Sequence, residues 1–212
     1  SGIGLETAMM VAHDGGSVVV IGNRPEKAEV ARKQLAAVAG EDKAFALTAD
    51  LSDFTSVQTL IENLNKDHSD IDLLVNSAGI FYPKAFLEHT PEDYDNFLSL
   101  NRAIFFITKQ VASSLVAQKK PGSIVNVTAV AARQAIETVH ASAYSMAKIG
   151  LEAMTKHVAA ELAGNDIRIN SVAPGMVETK IFERFIPSEH LDSALASFND
   201  FHPLGRNGTP RD

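Results

Sequence analysis

Tyr144 and Lys148 have the residue types and the spacing to transfer a proton during carbonyl chemistry. They are four positions apart in a segment whose pattern predicts a helix, so both side chains point the same way. A phenol with a pKa of about 10 is a poor base at neutral pH, but a nearby ammonium group favours the phenolate. Such a tyrosine can give a proton to a carbonyl oxygen, or take one from an alcohol, while hydride moves at carbon. The alternative for this pair is a half-buried tyrosine beside a solvated lysine.

The rest of the chain alternates short apolar runs with segments of helical length. The pattern predicts strands at 17–21, 44–48, 71–75, 123–127 and 167–172, and helices at 25–39, 54–66, 91–116 and 143–163. The segment 91–116 is predicted to hold two helices, with Thr90 as N-cap and Asp93 in the first turn. Nearly continuous apolar strands suit a parallel sheet that is covered on both faces. We therefore expect an α/β fold with a doubly wound parallel sheet (Rossmann fold), as a single domain over residues 1–212.

Both ends of the sequence are abrupt for such a fold. Residue 1 already lies in a glycine-rich turn before a helical pattern, so the strand that feeds this turn is absent from the sequence. A final strand is likewise expected after residue 212. We expect that the first and last strands are missing and that the chain is a trimmed piece. The alternative is a tag-like start on a different fold.

A glycine-rich turn at the start of the chain predicts a phosphate site. Gly2 and Gly4 open the first helix, where backbone N–H groups can approach a pyrophosphate, although any tight turn also suits glycine. In the next strand, Gly22 occupies the position where an NAD site usually has an acidic residue, and Arg24 follows two positions later. A guanidinium group can pair with a 2′-phosphate, so NADP(H) is favoured over NAD(H). The alternative is that Arg24 is a solvated residue of the turn.

Polar residues also follow the next two predicted strands. Asp50 can accept a hydrogen bond from an adenine amino group, or it can cap the following helix. Asn76 can brace strand edges, and Gly79 lets the backbone approach a ribose, but an ordinary polar turn would look the same. These residues lie at carboxyl ends of strands, where open α/β sheets bind ligands.

Taken together, these segments resemble the short-chain dehydrogenase/reductase family over essentially the whole chain, and within it the 3-oxoacyl reductase-like members. The motifs that carry the likeness are Ser1-Gly2-Ile3-Gly4, Asn76-Ser77-Ala78-Gly79, Tyr144-x-x-x-Lys148 and Pro174-Gly175. The resemblance implies that Tyr144, Lys148 and Asn101 are catalytic, with Asn101 in a proton relay with the lysine. The residues predicted to bind the cofactor are Gly2, Ile3, Gly4, Asn23, Arg24, Asp50, Leu51, Asn76, Ala78, Gly79, Tyr144, Lys148, Pro174, Gly175, Val177 and Thr179.

One position departs from the family pattern. Family members carry a serine three residues after the strand asparagine that corresponds to Asn126, where it hydrogen-bonds the substrate oxygen, and this chain has Ala129. Thr128 is adjacent, but neighbouring side chains of a strand point to opposite faces, so a bulge would be needed for it to substitute. Ser142 is another nearby hydroxyl. Three readings stay open: another hydroxyl acts instead, serine has been changed to alanine, or the protein binds cofactor with little turnover.

Composition narrows the classes of function. The chain has no cysteine, which excludes disulfides, a thiol nucleophile and cysteine-ligated zinc, and its seven histidines lack metal-site spacing. The net charge of −7 argues against a nucleic-acid surface. Neither a membrane span nor a signal peptide is visible, so a cytoplasmic protein is expected.

The leading hypothesis is an NADP(H)-dependent oxidoreductase for a small-molecule carbonyl or secondary alcohol. The alternative is a non-enzymatic or weakly active NADP(H)-binding regulatory protein, which Ala129 favours. The resemblance implies a homodimer or homotetramer built on the helices at 91–116 and 143–163. Apolar residues after the last strand are predicted either to line a substrate pocket or to pack as an ordinary helix: Phe182, Phe185, Ile186 and Leu191.

Overall fold

A computed structural model describes residues 1–137 and 139–212 of the protein. The chain forms two compact units, residues 1–60 with 176–212, and residues 61–175. Each unit contains parallel strands packed against helices, which confirms the predicted α/β class. In the described part of the chain the strands are hydrogen-bonded as two sheets, with two strands in the first unit and three in the second.

The first unit begins with a helix and a parallel strand pair. Its elements are α1 (Gly2–His13), β1 (Val18–Gly22), α2 (Pro25–Ala39) and β2 (Ala44–Thr48). The two strands pair in register from Val18 opposite Ala44 to Gly22 opposite Thr48. The core is rich in alanine, a strong helix former whose small side chain lets α1 and α2 pack closely. It consists of Ala8, Ala12, Val18, Leu35, Ala36 and Ala44.

The second unit carries a three-stranded parallel sheet. Helix α3 (Phe54–Asp67) contains the chain boundary between the units, and β3 (Leu73–Asn76), α4 (Pro91–Gln118), β4 (Gly122–Val127), α5 (Ser142–Leu162) and β5 (Ile167–Val172) follow. The sheet order is β3-β4-β5, and the register places Asn76 opposite Asn126. Branched residues of the strands and the inner face of α4 form its core: Val111, Ala112, Leu115, Ile124, Ile167 and Ile169.

Helix α4 is continuous over 28 residues, so the prediction of two helices was wrong. After Pro91 it contains neither glycine nor proline, and nothing interrupts its hydrogen bonds. Its N-cap is Thr90, as predicted, and Asp93 completes a capping box by accepting from the Thr90 backbone N–H at 2.9 Å. The helix ends where Lys119 adopts a left-handed conformation.

The chain after β5 includes regular structure. It contains α6 (Ser188–Ser197) and a parallel bridge between Val177 and Gly208. Across the described residues, no helix is both long and apolar enough to cross a membrane.

Candidate active site

Tyr144 and Lys148 lie in the first two turns of α5, within the second unit. The Lys148 ammonium nitrogen is 5.8 Å from the centroid of the Tyr144 ring. Lys148 is buried, and its Nζ donates a hydrogen bond of 2.8 Å to the carbonyl oxygen of Val127 at the end of β4. The strand end thus holds the ammonium group near the phenol, as the spacing of the pair predicts.

Burial perturbs both groups in the free protein. It raises the pKa of Tyr144 to about 12 and lowers the pKa of Lys148 to about 8, because each charged form is desolvated. At neutral pH the phenol is therefore protonated and the amine is charged. This is the protonation state of a proton donor with a cation beside it.

Asn101 on α4 lies against the same helix turn. Its Nδ2 donates a hydrogen bond of 2.7 Å to the carbonyl oxygen of Ala147, the residue before Lys148. A Cβ on Gly150 would lie 3.4 Å from that amide nitrogen, so a glycine there leaves room for the contact. The structure therefore brings together the three residues predicted to be catalytic. They share a cleft in the second unit whose other walls include Ala78, Gly79, Ile80, Phe97 and Leu100.

Aromatic rings surround the phenol, and this arrangement was not predicted from the sequence. Phe81 and Phe97 meet the Tyr144 ring edge-on, with centroids 5.0 Å and 6.0 Å away. The segment that carries Phe81 is anchored at Lys84, whose Nζ lies 2.6 Å from a carboxylate oxygen of Asp93. Lys84 also donates its backbone N–H to the carbonyl oxygen of His140, just before α5.

Ala129 is buried two residues after the end of β4 and has no hydroxyl group. Thr128, between them, has a hydroxyl group that is already hydrogen-bonded. The Thr128 hydroxyl oxygen lies 3.1 Å from two acceptors, Glu152 Oε1 and the carbonyl oxygen of Val172. The strand register continues without a bulge, because the Thr128 N–H donates to the same carbonyl oxygen at 2.8 Å. Ser142 begins α5, and among the described residues its hydroxyl has no hydrogen-bond partner. Of the two hydroxyls considered for the missing serine, only Ser142 is uncommitted.

The residues predicted at the other strand ends of this unit divide into two groups. Asn76 is buried, and its Nδ2 donates to Thr108 Oγ1 at 3.0 Å and to Asn126 Oδ1 at 2.8 Å. Its amide therefore braces the sheet. Gly79 faces the site, since a Cβ there would lie 3.7 Å from Lys148 Nζ. Pro174, followed by Gly175, accepts a backbone hydrogen bond of 2.9 Å from Val130.

The glycine turn belongs to the first unit. Ser1 is the N-cap of α1, Ile3 and Gly4 lie in its first turn, and Gly2 has a φ of 64°, which favours glycine. A Cβ at Gly2 would lie 3.2 Å from the Thr179 methyl carbon, so the backbone there is closely approached. The N–H groups of this first turn are unsatisfied by the helix itself. Such N–H groups can bind an anion, and the phosphate site at this turn stays a prediction.

Asp50 forms a turn rather than the helix cap. Its Oδ1 accepts from the Ser52 backbone N–H at 2.9 Å and from the Ser52 hydroxyl at 2.6 Å, and these bonds lower the pKa of the Asp50 carboxyl. The cap of α3 is Asp53, which accepts from the backbone N–H of Thr55 at 3.0 Å. Leu51 lies in the same turn, and the capping alternative for Asp50 is wrong.

Arg24 is the exposed N-cap residue of α2, directly after Asn23 and the end of β1. A Cβ on Gly22 would meet Ala28 at 3.5 Å, an ordinary van der Waals contact. A side chain at position 22 would therefore not clash with its neighbours, so steric contact does not explain why an acidic residue is absent there.

The apolar residues after β5 pack on one another. Phe182 is buried, with the rings of Phe185 and Phe198 at centroid distances of 5.9 Å and 6.1 Å. Ordinary packing accounts for Phe182. The half-exposed Phe201 continues the row at 6.2 Å from Phe198.

The parallel α/β fold and the similarity to known proteins define a class of oxidoreductase that acts on CH–OH and C=O groups with a nicotinamide cofactor. The chain belongs to the short chain dehydrogenase family, whose pattern matches residues 1–189. The group on which such an oxidoreductase acts is an alcohol or a carbonyl.

Three similar proteins illustrate the range of this class. The 3-oxoacyl-(acyl-carrier-protein) reductase FabG of Thermotoga maritima is 32% identical, covering 100% of this chain and 82% of the relative. The crystal structure of acetoin dehydrogenase from Enterobacter cloacae has a TM-score of 0.84 and 31% identity, over 100% of this chain and 80% of that one. A Beutenbergia cavernae protein described as an NAD(P)-dependent gluconate 5-dehydrogenase, solved with NADP at low occupancy, has a TM-score of 0.87 and 27% identity, over 100% and 81%.

Proposed function

We propose that the protein is an NADP(H)-dependent carbonyl reductase or alcohol dehydrogenase in which Tyr144 is the general acid and base. The observation that carries this proposal is the phenol held within 5.8 Å of a buried ammonium group, in a cleft that also contains Asn101. An ordinary solvated lysine would not be buried against a strand carbonyl group. Relatives that act on ketones and secondary alcohols support the same reaction class.

The residues present fit a nicotinamide dinucleotide. Lys148 Nζ has three N–H groups, and within the described residues only one is used, by the Val127 carbonyl oxygen, which leaves two for ribose hydroxyls. Gly79 keeps the space beside that nitrogen free of a side chain. In the first unit, Gly2 and Gly4 would bind the pyrophosphate. When bound, the nicotinamide supplies hydride to a carbonyl carbon or accepts it from an alcohol.

The chain's own residues handle the proton. Tyr144 gives its hydroxyl proton to the carbonyl oxygen of the substrate, and the Lys148 ammonium group stabilises the phenolate that remains. Asn101 holds the turn that carries Lys148 through its bond to the Ala147 carbonyl oxygen. In alcohol oxidation the same tyrosine takes the proton back.

Reduction should lose rate as the pH rises through about 8, because the buried Lys148 ammonium group deprotonates there. Below that pH the amine is charged and the phenol is protonated, so the rate should be level. The measurement is kcat/KM for the cofactor against pH, a parameter that reports groups of the free protein. A level profile through about pH 8 would contradict the assigned role of Lys148, and Lys148→Met should remove the fall.

Selectivity for NADP(H) is attributed to Arg24, which stands exposed after a strand end without an acidic side chain. Arg24→Ser should raise the dissociation constant of NADPH about 10- to 100-fold, since a charge-assisted contact with the 2′-phosphate is lost. Binding of NADH should be unchanged. Titration of both cofactors tests this, with Lys33→Ser as a control that removes an exposed cation from the same helix. An equal loss for both cofactors would remove Arg24 from the 2′-phosphate site.

The second candidate is an NADP(H)-binding protein with little turnover. The observation that favours it is the buried Ala129, together with the commitment of the Thr128 hydroxyl to Glu152 and Val172. A missing donor to a developing oxyanion lowers rates without affecting cofactor binding.

Steady NADPH oxidation across a panel of ketones separates the two candidates. The reductase predicts cofactor consumption that depends on the ketone added. Tight NADPH binding with no consumption for any ketone would favour the second candidate.

For assembly, we propose a homodimer or homotetramer built on α4 and α5, which expose the apolar residues Phe105, Met146 and Ile149.

A further inference from the structure

Glu152 is a buried carboxylate with no part in the proposed chemistry. It lies in the middle of α5, one turn after Lys148 and two turns after Tyr144, and its side chain is only 2% exposed. Burying a charged carboxylate is costly unless partners replace its water. Arg133 Nε donates to Oε2 at 2.7 Å, and the Thr128 hydroxyl, whose one proton is shared with the Val172 carbonyl oxygen, lies 3.1 Å from Oε1.

Both partners come from one short segment of chain. Thr128 follows β4 directly, and Arg133 ends the turn formed by Val130–Ala132. Ala129 lies between them, two residues after the carbonyl group that binds Lys148. We call residues 128–133 the pocket segment. Its two ends are therefore tied to one side chain of the helix that also carries the catalytic pair.

Backbone hydrogen bonds also anchor the pocket segment to the unit. The Val130 N–H donates to the Pro174 carbonyl oxygen at 2.9 Å, and the Thr128 N–H donates to Val172 at 2.8 Å. The remaining backbone bonds, from Ala132 and Arg133, stay within the segment itself. Glu152 thus supplies the side-chain link that fixes the segment to α5.

We propose that Glu152 is a positioning residue that sets the place of the pocket segment, and with it Ala129, relative to Tyr144. The catalytic role of Glu152 rests on the proposed function, but the link between Glu152 and the pocket segment is a property of the fold. The Arg133 side chain is 59% exposed and the Glu152 side chain 2% exposed, so the pair joins the solvent-facing side of the segment to a buried carboxylate. Loosening it should widen the range of orientations a ketone can take against the phenol.

Glu152→Gln tests the link while preserving the shape of the side chain. Amide hydrogen exchange of the pocket segment should become about tenfold faster or more, because a charge-assisted bond is weakened, while exchange in β4 should stay the same. Glu161→Gln is the matched control, since Glu161 is an exposed glutamate of the same helix. Unchanged exchange in the pocket segment of Glu152→Gln would overturn the proposal, whatever the protein turns over.

The catalytic consequence is read from the ratio of product enantiomers formed from a prochiral ketone. Glu152→Gln should lower that ratio and raise the KM of the ketone, with the NADPH dissociation constant unchanged. A merely structural role would reduce the amount of active protein without altering the enantiomer ratio. A variant with faster exchange but an unchanged ratio would therefore overturn the positioning role.

Variants of Arg133 provide a second test, which applies even if Glu152→Gln fails to fold. Arg133→Met should produce the same faster exchange and lower enantiomer ratio from the exposed side of the pair. Arg133→Lys, which keeps the charge, should restore both to within about twofold of wild type. If Arg133→Met behaves like wild type, the proposal is wrong. If the segment loosens as expected but the wild-type protein reduces no ketone, the proposed function fails and the link stands.

Discussion

Tyr144→Phe is expected to lower kcat/KM for ketone reduction by about 10²- to 10⁴-fold, the range associated with loss of a general acid. The substitution removes only the hydroxyl group. The ring should keep its edge-on contacts with Phe81 and Phe97, so the fold of α5 and the NADPH dissociation constant should not change. The comparison needs NADPH oxidation rates and a cofactor titration on the same preparations.

Tyr94→Phe is the matched control for this prediction. Tyr94 is 43% exposed on α4, and its loss of a hydroxyl should leave the rate within about twofold. Equal rates for wild type and Tyr144→Phe on every ketone would show that the phenol does not transfer the proton. A loss of NADPH binding in Tyr144→Phe would instead show that the hydroxyl group acts through the cofactor.

Ala129→Ser is expected to raise kcat/KM for ketones by about 10²- to 10³-fold, the usual effect of one hydrogen-bond donor on a developing oxyanion. Ala129 lies two residues beyond the carbonyl group that holds Lys148, at the position where the family has its serine. The NADPH dissociation constant should not change, because the added hydroxyl group is expected to bond to the substrate oxygen and not to the cofactor.

Ala132→Ser places the same hydroxyl three residues further along the pocket segment and should leave the rate unchanged. A rate that Ala129→Ser does not improve, together with a loss of activity in Ser142→Ala, would assign the donor role to Ser142. That result would identify this chain as a variant that uses another hydroxyl. A strong gain from Ala129→Ser would show that the natural chain turns over slowly for want of this donor.

The strands and their order were predictable because their apolar runs are short and bounded by polar turns. The strands Ala44–Thr48 and Ile167–Val172 were placed correctly at both ends, and the bounds of the other three differ by one or two residues. The error in α4 was to divide the segment 91–116 into two helices, although no glycine or proline follows Pro91. The absence of these two helix-breaking residues predicts one continuous helix.

The grouping of the candidate site residues was predictable to the extent that it depends on local spacing. Tyr144 and Lys148 are neighbours along one helix, and the family resemblance added Asn101 from α4. Alternation along a strand also separated Thr128 from Ala129, and the Thr128 hydroxyl does turn to Glu152. Apart from Asn101, these inferences need only a few adjacent residues.

Contacts between distant parts of the chain were beyond local patterns. Glu152 meets partners that are 24 and 19 residues away, and nothing in its own neighbourhood distinguishes it from an exposed glutamate. The edge-on contact of Phe81 with Tyr144 and the ion pair of Lys84 with Asp93 depend likewise on how loops fold back onto the helices. Only the tertiary structure brings these groups together.

The most direct test of the account follows deuterium from the cofactor to the product. NADPH with deuterium at the transferable position of C4 should yield, with a ketone that the protein accepts, an alcohol that carries deuterium on its carbinol carbon. Tyr144→Phe should form this product about 10²- to 10⁴-fold more slowly while binding the cofactor as wild type does. Alcohol without deuterium, or deuterated alcohol formed equally fast by Tyr144→Phe, would contradict the central claim.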